Sequence, residues 1–102
     1  PVAVEAETGK TRTELEKEKR REKLNRQALR QLKTRAQEAE KAVGSKEAEI
    51  AELEAQMADP ALYSDAQKAA DVQRVYQKAQ QELQTLYEQW EAAEAALSQE
   101  DD

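Results

Sequence analysis

Nine cations crowd one stretch of the chain: Lys17, Lys19, Arg20, Arg21, Lys23, Arg26, Arg30, Lys33 and Arg35, with Glu18 and Glu22 among them. Spaced along a helix, such residues can track a phosphate backbone, because each neutralised phosphate releases condensed counterions and binding then weakens steeply with salt. The candidate phosphate-binding residues are Lys19, Arg20, Arg21, Lys23, Arg26 and Arg30. A second reading stays open beside this one. Glu16 with Arg20 and Glu22 with Arg26 stand four residues apart, the spacing that stabilises an exposed helix by about 0.2–0.5 kcal/mol per pair, so the same run also reads as a solvated face. No aromatic lies in the stretch; Tyr63, Tyr76, Tyr87 and Trp90 all come later. Base stacking is therefore not expected, and any nucleic-acid contact made here would be indifferent to sequence.

Little other chemistry is available. The 102 residues contain no Cys and no His, which removes zinc ribbons, haem ligation, disulfide frameworks and every catalytic arrangement built on a thiol or imidazole. The 22 acids could in principle supply a carboxylate pair. General acid–base work needs a dry pocket that pushes two pKa values apart, and a chain that is 37% charged offers none. The chain is expected to be no enzyme, with no cofactor or metal of its own. No apolar run reaches the length of a membrane span and no signal peptide is visible, so the expected setting is cytoplasmic, with no membrane partner. Because the first residue is Pro1, the chain is expected to be a piece of a longer protein.

The elements that would position the cations follow from composition and period. Gly and Pro number two each and aromatics make up 4%, while Ala, Glu, Gln, Lys, Leu and Arg abound, as in long helices and coiled coils. Residues 1–35 hold 11 cations against 6 acids, and residues 36–102 hold 5 against 16: a basic end and an acidic body. Residues 1–13 carry no sustained pattern and read as a linker. A helix is expected from near Thr13, with a basic extension over 14–35. Leu29, Leu32, Ala36, Ala39, Val43, Ile50, Leu53 and Met57 then recur at steps of three and four, Lys46 filling one seam position. The phase carries through Gly44, so the helix is expected to continue there at about 1 kcal/mol relative to Ala; a break at Gly44 is the alternative.

Asp59-Pro60 should end this helix, since the residue before proline is pushed out of the α region. The turn falls at about 59–64, and Ser64 with Gln67 matches a capping box that would open a second helix. Its seam is Val72, Tyr76, Ala79, Leu83, Leu86, Trp90, Ala93 and Leu97. So short a connection predicts antiparallel helices, pairing Leu53 with Tyr76, Ile50 with Ala79, Lys46 with Leu83, Val43 with Leu86, Ala39 with Trp90 and Leu32 with Leu97. Lys46 would lay its stem on the seam and send its ammonium to solvent. Gly44 would leave room for the Tyr87 ring, and the tail Ser98 to Asp102 would fray. The expected fold is all-α: an antiparallel two-helix coiled-coil hairpin over 36–102 with an N-terminal basic helical extension. About 17 residues, Leu15 to Gln31, would project beyond the second helix by roughly 25 Å at 1.5 Å per residue.

Residues 50–97 resemble the C-terminal coiled-coil domain of ABC-F proteins. The most specific parts are the tip Asp59-Pro60-Ala61-Leu62-Tyr63-Ser64-Asp65 and the distal Leu86-Tyr87-Glu88-Gln89-Trp90-Glu91. The upstream KEKRREKL, residues 17–24, is similar to the basic stretch that joins the second ATP-binding cassette to this hairpin. Where many members carry a Leu-Ser-Tyr-Lys-type motif and a proline, Leu24-Asn25-Arg26-Gln27 and Ala36 stand here. The resemblance implies a parent ATPase without membrane spans that binds ATP and Mg and acts on the ribosome in translation, with this domain contacting ribosomal RNA or DNA and the parent cassettes. A monomer is expected. No G-x-x-x-x-G-K-[ST] phosphate loop occurs in these residues. The tip is also similar to the N-terminal helical domain of bacterial peptide-chain release factors, although the LYEQWE segment favours ABC-F. The alternative class of function is a structural coiled coil for protein contact, or for self-association through the unpaired seam near Leu24, Ala28 and Leu29.

Overall fold

A computed structural model describes Gly9 and residues 11–101, apart from the side chain of Asp101. It contains helix α1, Arg12–Met57, a 3-10 turn, Pro60–Ser64, and helix α2, Ala66–Asp101. The two helices lie antiparallel in a rod of 86 × 17 × 15 Å, the expected all-α hairpin.

Helix α1 starts earlier than the hydrophobic pattern alone suggests. Thr11 is its N-cap: the Thr11 hydroxyl oxygen accepts the Glu14 N–H at 3.2 Å, and Glu14 Oε2 accepts the Thr11 N–H at 3.2 Å. This reciprocal box satisfies two donors that a helix start otherwise leaves open. Arg12 and Thr13 are therefore helical rather than linker; residues 1–8 and 10 lie outside the described residues. The helix runs unbroken through Gly44. The expected Tyr87 contact is absent there: a Cβ on Gly44 would meet nothing within 4 Å. Tyr87 instead donates its hydroxyl to Glu47 Oε2 at 2.6 Å.

At the tip, Asp59 Oδ1 accepts the Ala61 N–H at 3.0 Å, and Pro60 occupies the first position of the 3-10 turn, where its missing N–H costs nothing. Leu62 is buried and closes the end of the seam. The exposed Tyr63 donates its hydroxyl to the Met57 carbonyl at 2.7 Å, tying the turn to the end of α1. Ser64 is not the cap of α2. Its hydroxyl donates back to the Ala61 carbonyl at 2.7 Å, while Asp65 Oδ1 accepts the Lys68 N–H at 3.1 Å and takes the capping role. Asp65 wins because the 3-10 turn uses Ser64 as its last residue, which leaves the extended backbone a cap requires one position later.

The core is a thin seam. Ala36, Val43, Ile50 and Leu53 of α1 are buried with Ala79 and Ala93 of α2. Ile50, Leu53 and Ala79 form one cluster against which Val72, Tyr76 and Leu83 pack, which matches the expected register. Three of the four most enclosed side chains, at 2–3% exposure, are alanines, Ala36, Ala79 and Ala93, the fourth being Val43, so close helix approach matters here beside larger apolar groups. The tail Ser98–Asp101, expected to fray, is helical.

Candidate nucleic-acid interface

Three cross-helix bonds set the register and so decide how much of α1 is left without a partner. Lys46 Nζ donates to Glu82 Oε2 at 2.6 Å and to Glu49 Oε2 at 2.7 Å, Tyr76 donates to Glu54 Oε2 at 3.2 Å, and Tyr87 donates to Glu47 Oε2 at 2.6 Å. The last pair is offset along the rod because side chains lean toward the N-terminus of their own helix, so in antiparallel helices Tyr87 and Glu47 lean toward each other. Lys46 departs from expectation. Its side chain is 19% exposed and its ammonium ends on two carboxylates instead of in solvent. Hydrogen bonds to Glu49 and then Glu82 raise its pKa, and the Lys46 ammonium lowers that of Glu82. Tyr76 is raised by burial and then by Glu54, and Tyr87 by Glu47 and then by burial. Nothing in the seam pattern of α2 marks Glu82 as the partner; only the two helices side by side bring it to Lys46.

With this register, the end of α2 at Asp101 stands about level with Ala28 of α1. The unaccompanied part of α1 is therefore about residues 12–27, or roughly 24 Å at 1.5 Å per residue. It begins and ends a few residues before the expected overhang, because Thr11 starts α1 early and α2 continues through its tail.

All six candidate phosphate-binding residues are exposed. Among the described residues none of the six has an ion-pair or hydrogen-bond partner. Glu16 pairs with Arg12 at 3.8 Å rather than with the expected Arg20, and Glu22 and Arg26 form no pair. At about 100° per residue, Lys19, Lys23, Arg26 and Arg30 fall within one arc of roughly 60°, and Lys33 extends it to roughly 80°. These five recur at steps of four and three with no acid in the arc between them. Arg20 and Arg21 lie off this stripe. The helix thus gathers four of the six candidates, adds Lys33, and sends the other two to different faces. That sorting was readable from the spacing once a straight helix is assumed.

Successive cations on the stripe are separated by about 5 Å along the axis, so its five members span roughly 21 Å. A row of such charges can hold a polyanion by long-range attraction and by direct contacts to phosphate oxygens. No aromatic side chain lies on the stripe for a base to stack on, since all four aromatics come after residue 62.

Two antiparallel helices with a capped proline tip and a projecting basic end make a coiled-coil hairpin. The family model of the ABC transporter C-terminal domain matches residues 23–95. The chain belongs to that family, and no curated protein and no solved structure matches it. Among the described residues no helix is long and apolar enough to cross a membrane, and no group of acids is placed to hold a metal ion.

Proposed function

We propose that this chain is the non-catalytic, nucleic-acid-binding arm of an ABC-F-type ATPase that acts in translation. The observation that carries the reading is the stripe Lys19, Lys23, Arg26, Arg30 and Lys33: five exposed cations in a row on the end of a stiff helix. They would contact RNA or DNA through phosphates, with Arg20 and Arg21 adding attraction from neighbouring faces. The acidic α2 confines that contact to the basic end, because a polyanion lying further along the hairpin would meet like charge. ATP and Mg2+ would be held by the cassettes of the parent; the residues here include no phosphate loop with which to hold them.

The test is fluorescence anisotropy with labelled RNA and DNA duplexes over about 50–200 mM salt. A contact through about five phosphates gives a slope of log K against log salt near −4 to −5 for B-DNA. Reversing Lys19, Lys23, Arg26 and Arg30 to Glu should abolish binding, whereas reversing Arg20 and Arg21 should only weaken it. Affinity that survives the stripe reversal, or that ignores salt, would overturn the proposal.

A further inference from the structure

The chain reversal carries a second open surface, at the far end of the rod from the phosphate stripe. Three large apolar side chains are exposed among the described residues, Leu24, Val75 and Tyr63, and Tyr63 alone stands at the apex. It is also the one exposed aromatic, since Tyr76, Tyr87 and Trp90 are half-buried. Side chains three apart eclipse in a 3-10 turn, so the exposed Pro60 and Tyr63 share one face while Leu62 is turned into the seam. Tyr63 is 59% exposed with its hydroxyl fixed on the Met57 carbonyl, so the ring is held in place before anything binds and little side-chain freedom is lost on contact.

The charge around this ring is one-sided. Residues 52–68 carry Glu52, Glu54, Asp59 and Asp65 against Lys68 alone, and all five are exposed. Among the described residues none of these four acids has an ion-pair partner. Asp59 and Asp65 accept the Ala61 and Lys68 N–H groups through Oδ1, which leaves Oδ2 of each for a donor from outside. The same two residues border a cleft of about 330 Å³ on the face of Ala61 and Ser64, beside Leu62 and Lys68.

We propose that the tip docks a cationic segment of another protein, with an arginine guanidinium stacked on the Tyr63 ring and neighbouring cations on Asp59 and Asp65. Arginine suits the site better than lysine, because its planar group stacks on an aromatic face and also donates to carboxylates in a fork. A nucleic acid does not suit it: a base stacked on Tyr63 would bring its phosphates among four unneutralised acids. Lys33, the member of the phosphate stripe nearest the tip, is about 36 Å from Met57 along α1 at 1.5 Å per residue. The two ends therefore bind separately, and the rod can hold a polyanion at one and a basic protein at the other.

Titration of the isotope-labelled full chain with an arginine–glycine repeat octapeptide, followed by NMR, tests this. The expected result is a set of shift changes concentrated at residues 57–68 that diminishes with salt. Tyr63→Leu should raise the peptide dissociation constant about two- to fivefold. Tyr63→Phe loses the same bond to Met57 but keeps the ring, and should bind nearly as the unaltered chain does. Asp59→Asn and Asp65→Asn keep an acceptor for the turn and should each weaken binding about two- to fivefold. A lysine–glycine octapeptide should bind less tightly than the arginine one. Shift changes spread along the acids of α2 beyond Ala79, an unperturbed tip, or equal affinity for Tyr63→Leu and Tyr63→Phe would overturn the proposal.

Discussion

Lys46 Nζ lies 2.6 Å from Glu82 Oε2 across the hairpin, from a seam position that an apolar residue would otherwise occupy. The pair supplies what an all-apolar seam lacks: a preference for one sliding position of α2 along α1. Lys46→Gln and Glu82→Gln should each lower the thermal midpoint. Together they should lower it by less than the two separate changes would add up to, since both delete the same contact. Thermal melts of the four proteins in the cycle measure the difference.

The same pair sets the pH range of the hairpin. Glu82 titrates below its ordinary 4.5 in the fold, so its stabilisation is present above that value and is lost as pH falls through the lower folded pKa. Lys46 titrates above its ordinary 10.5, and Tyr76 and Tyr87 above their ordinary 10.0. Their stabilisation is complete below those values and is lost as pH rises through the raised folded ones. With no His in the chain, the midpoint should be flat around neutrality, falling on an acid limb below 4.5 and on an alkaline limb above 10.0. Glu82→Gln should shrink the acid limb in melts recorded across pH.

The tip separates two neighbouring residues by role. Asp65→Ala removes the acceptor for the Lys68 N–H and should cost about 1 kcal/mol. Ser64→Ala loses only a bond to the exposed Ala61 carbonyl and should cost less. Urea melts with an unchanged slope would report both.

Gly44 is helical, with open space where a side chain would be. Gly44→Ala should therefore stabilise the hairpin by about 1 kcal/mol. A destabilised variant would show that glycine is needed there for an approach the open space does not suggest.

Leu53 is 8% exposed within the largest cluster of the seam. Leu53→Ala should cost about 2–5 kcal/mol, a large fraction of the stability available to so thin a core. Loss of helical signal near ambient temperature would register it, whereas Leu24→Ala should leave the melt nearly unchanged.

The seam was legible because its period is simple: alternating steps of three and four give two helices, and Asp59-Pro60 gives the reversal. The caps were harder. Thr11 and Glu14 carry a visible box signature but stand before any apolar repeat. At Ser64 and Asp65, two competent caps sit side by side, and only the extent of the 3-10 turn chooses between them. Contacts between helices were the least legible. Glu82 and Glu47 lie off the seam, and the register together with the lean of side chains brings them to Lys46 and Tyr87. The cations were plain in the sequence, but their sorting into a stripe of five, with Arg20 and Arg21 off it, follows only once residues 17–35 form one continuous helix.

That continuity has a mechanical consequence. From Arg12 to Met57 nothing in α1 can bend sharply: no proline interrupts it, and its single glycine is spanned by helix. At 1.5 Å per residue it measures about 69 Å, so a tilt of about 10° where it is rooted sweeps its far end through about 12 Å. With no joint to absorb the rotation, a small angular input at one extremity reaches the other multiplied into a displacement as wide as a helix.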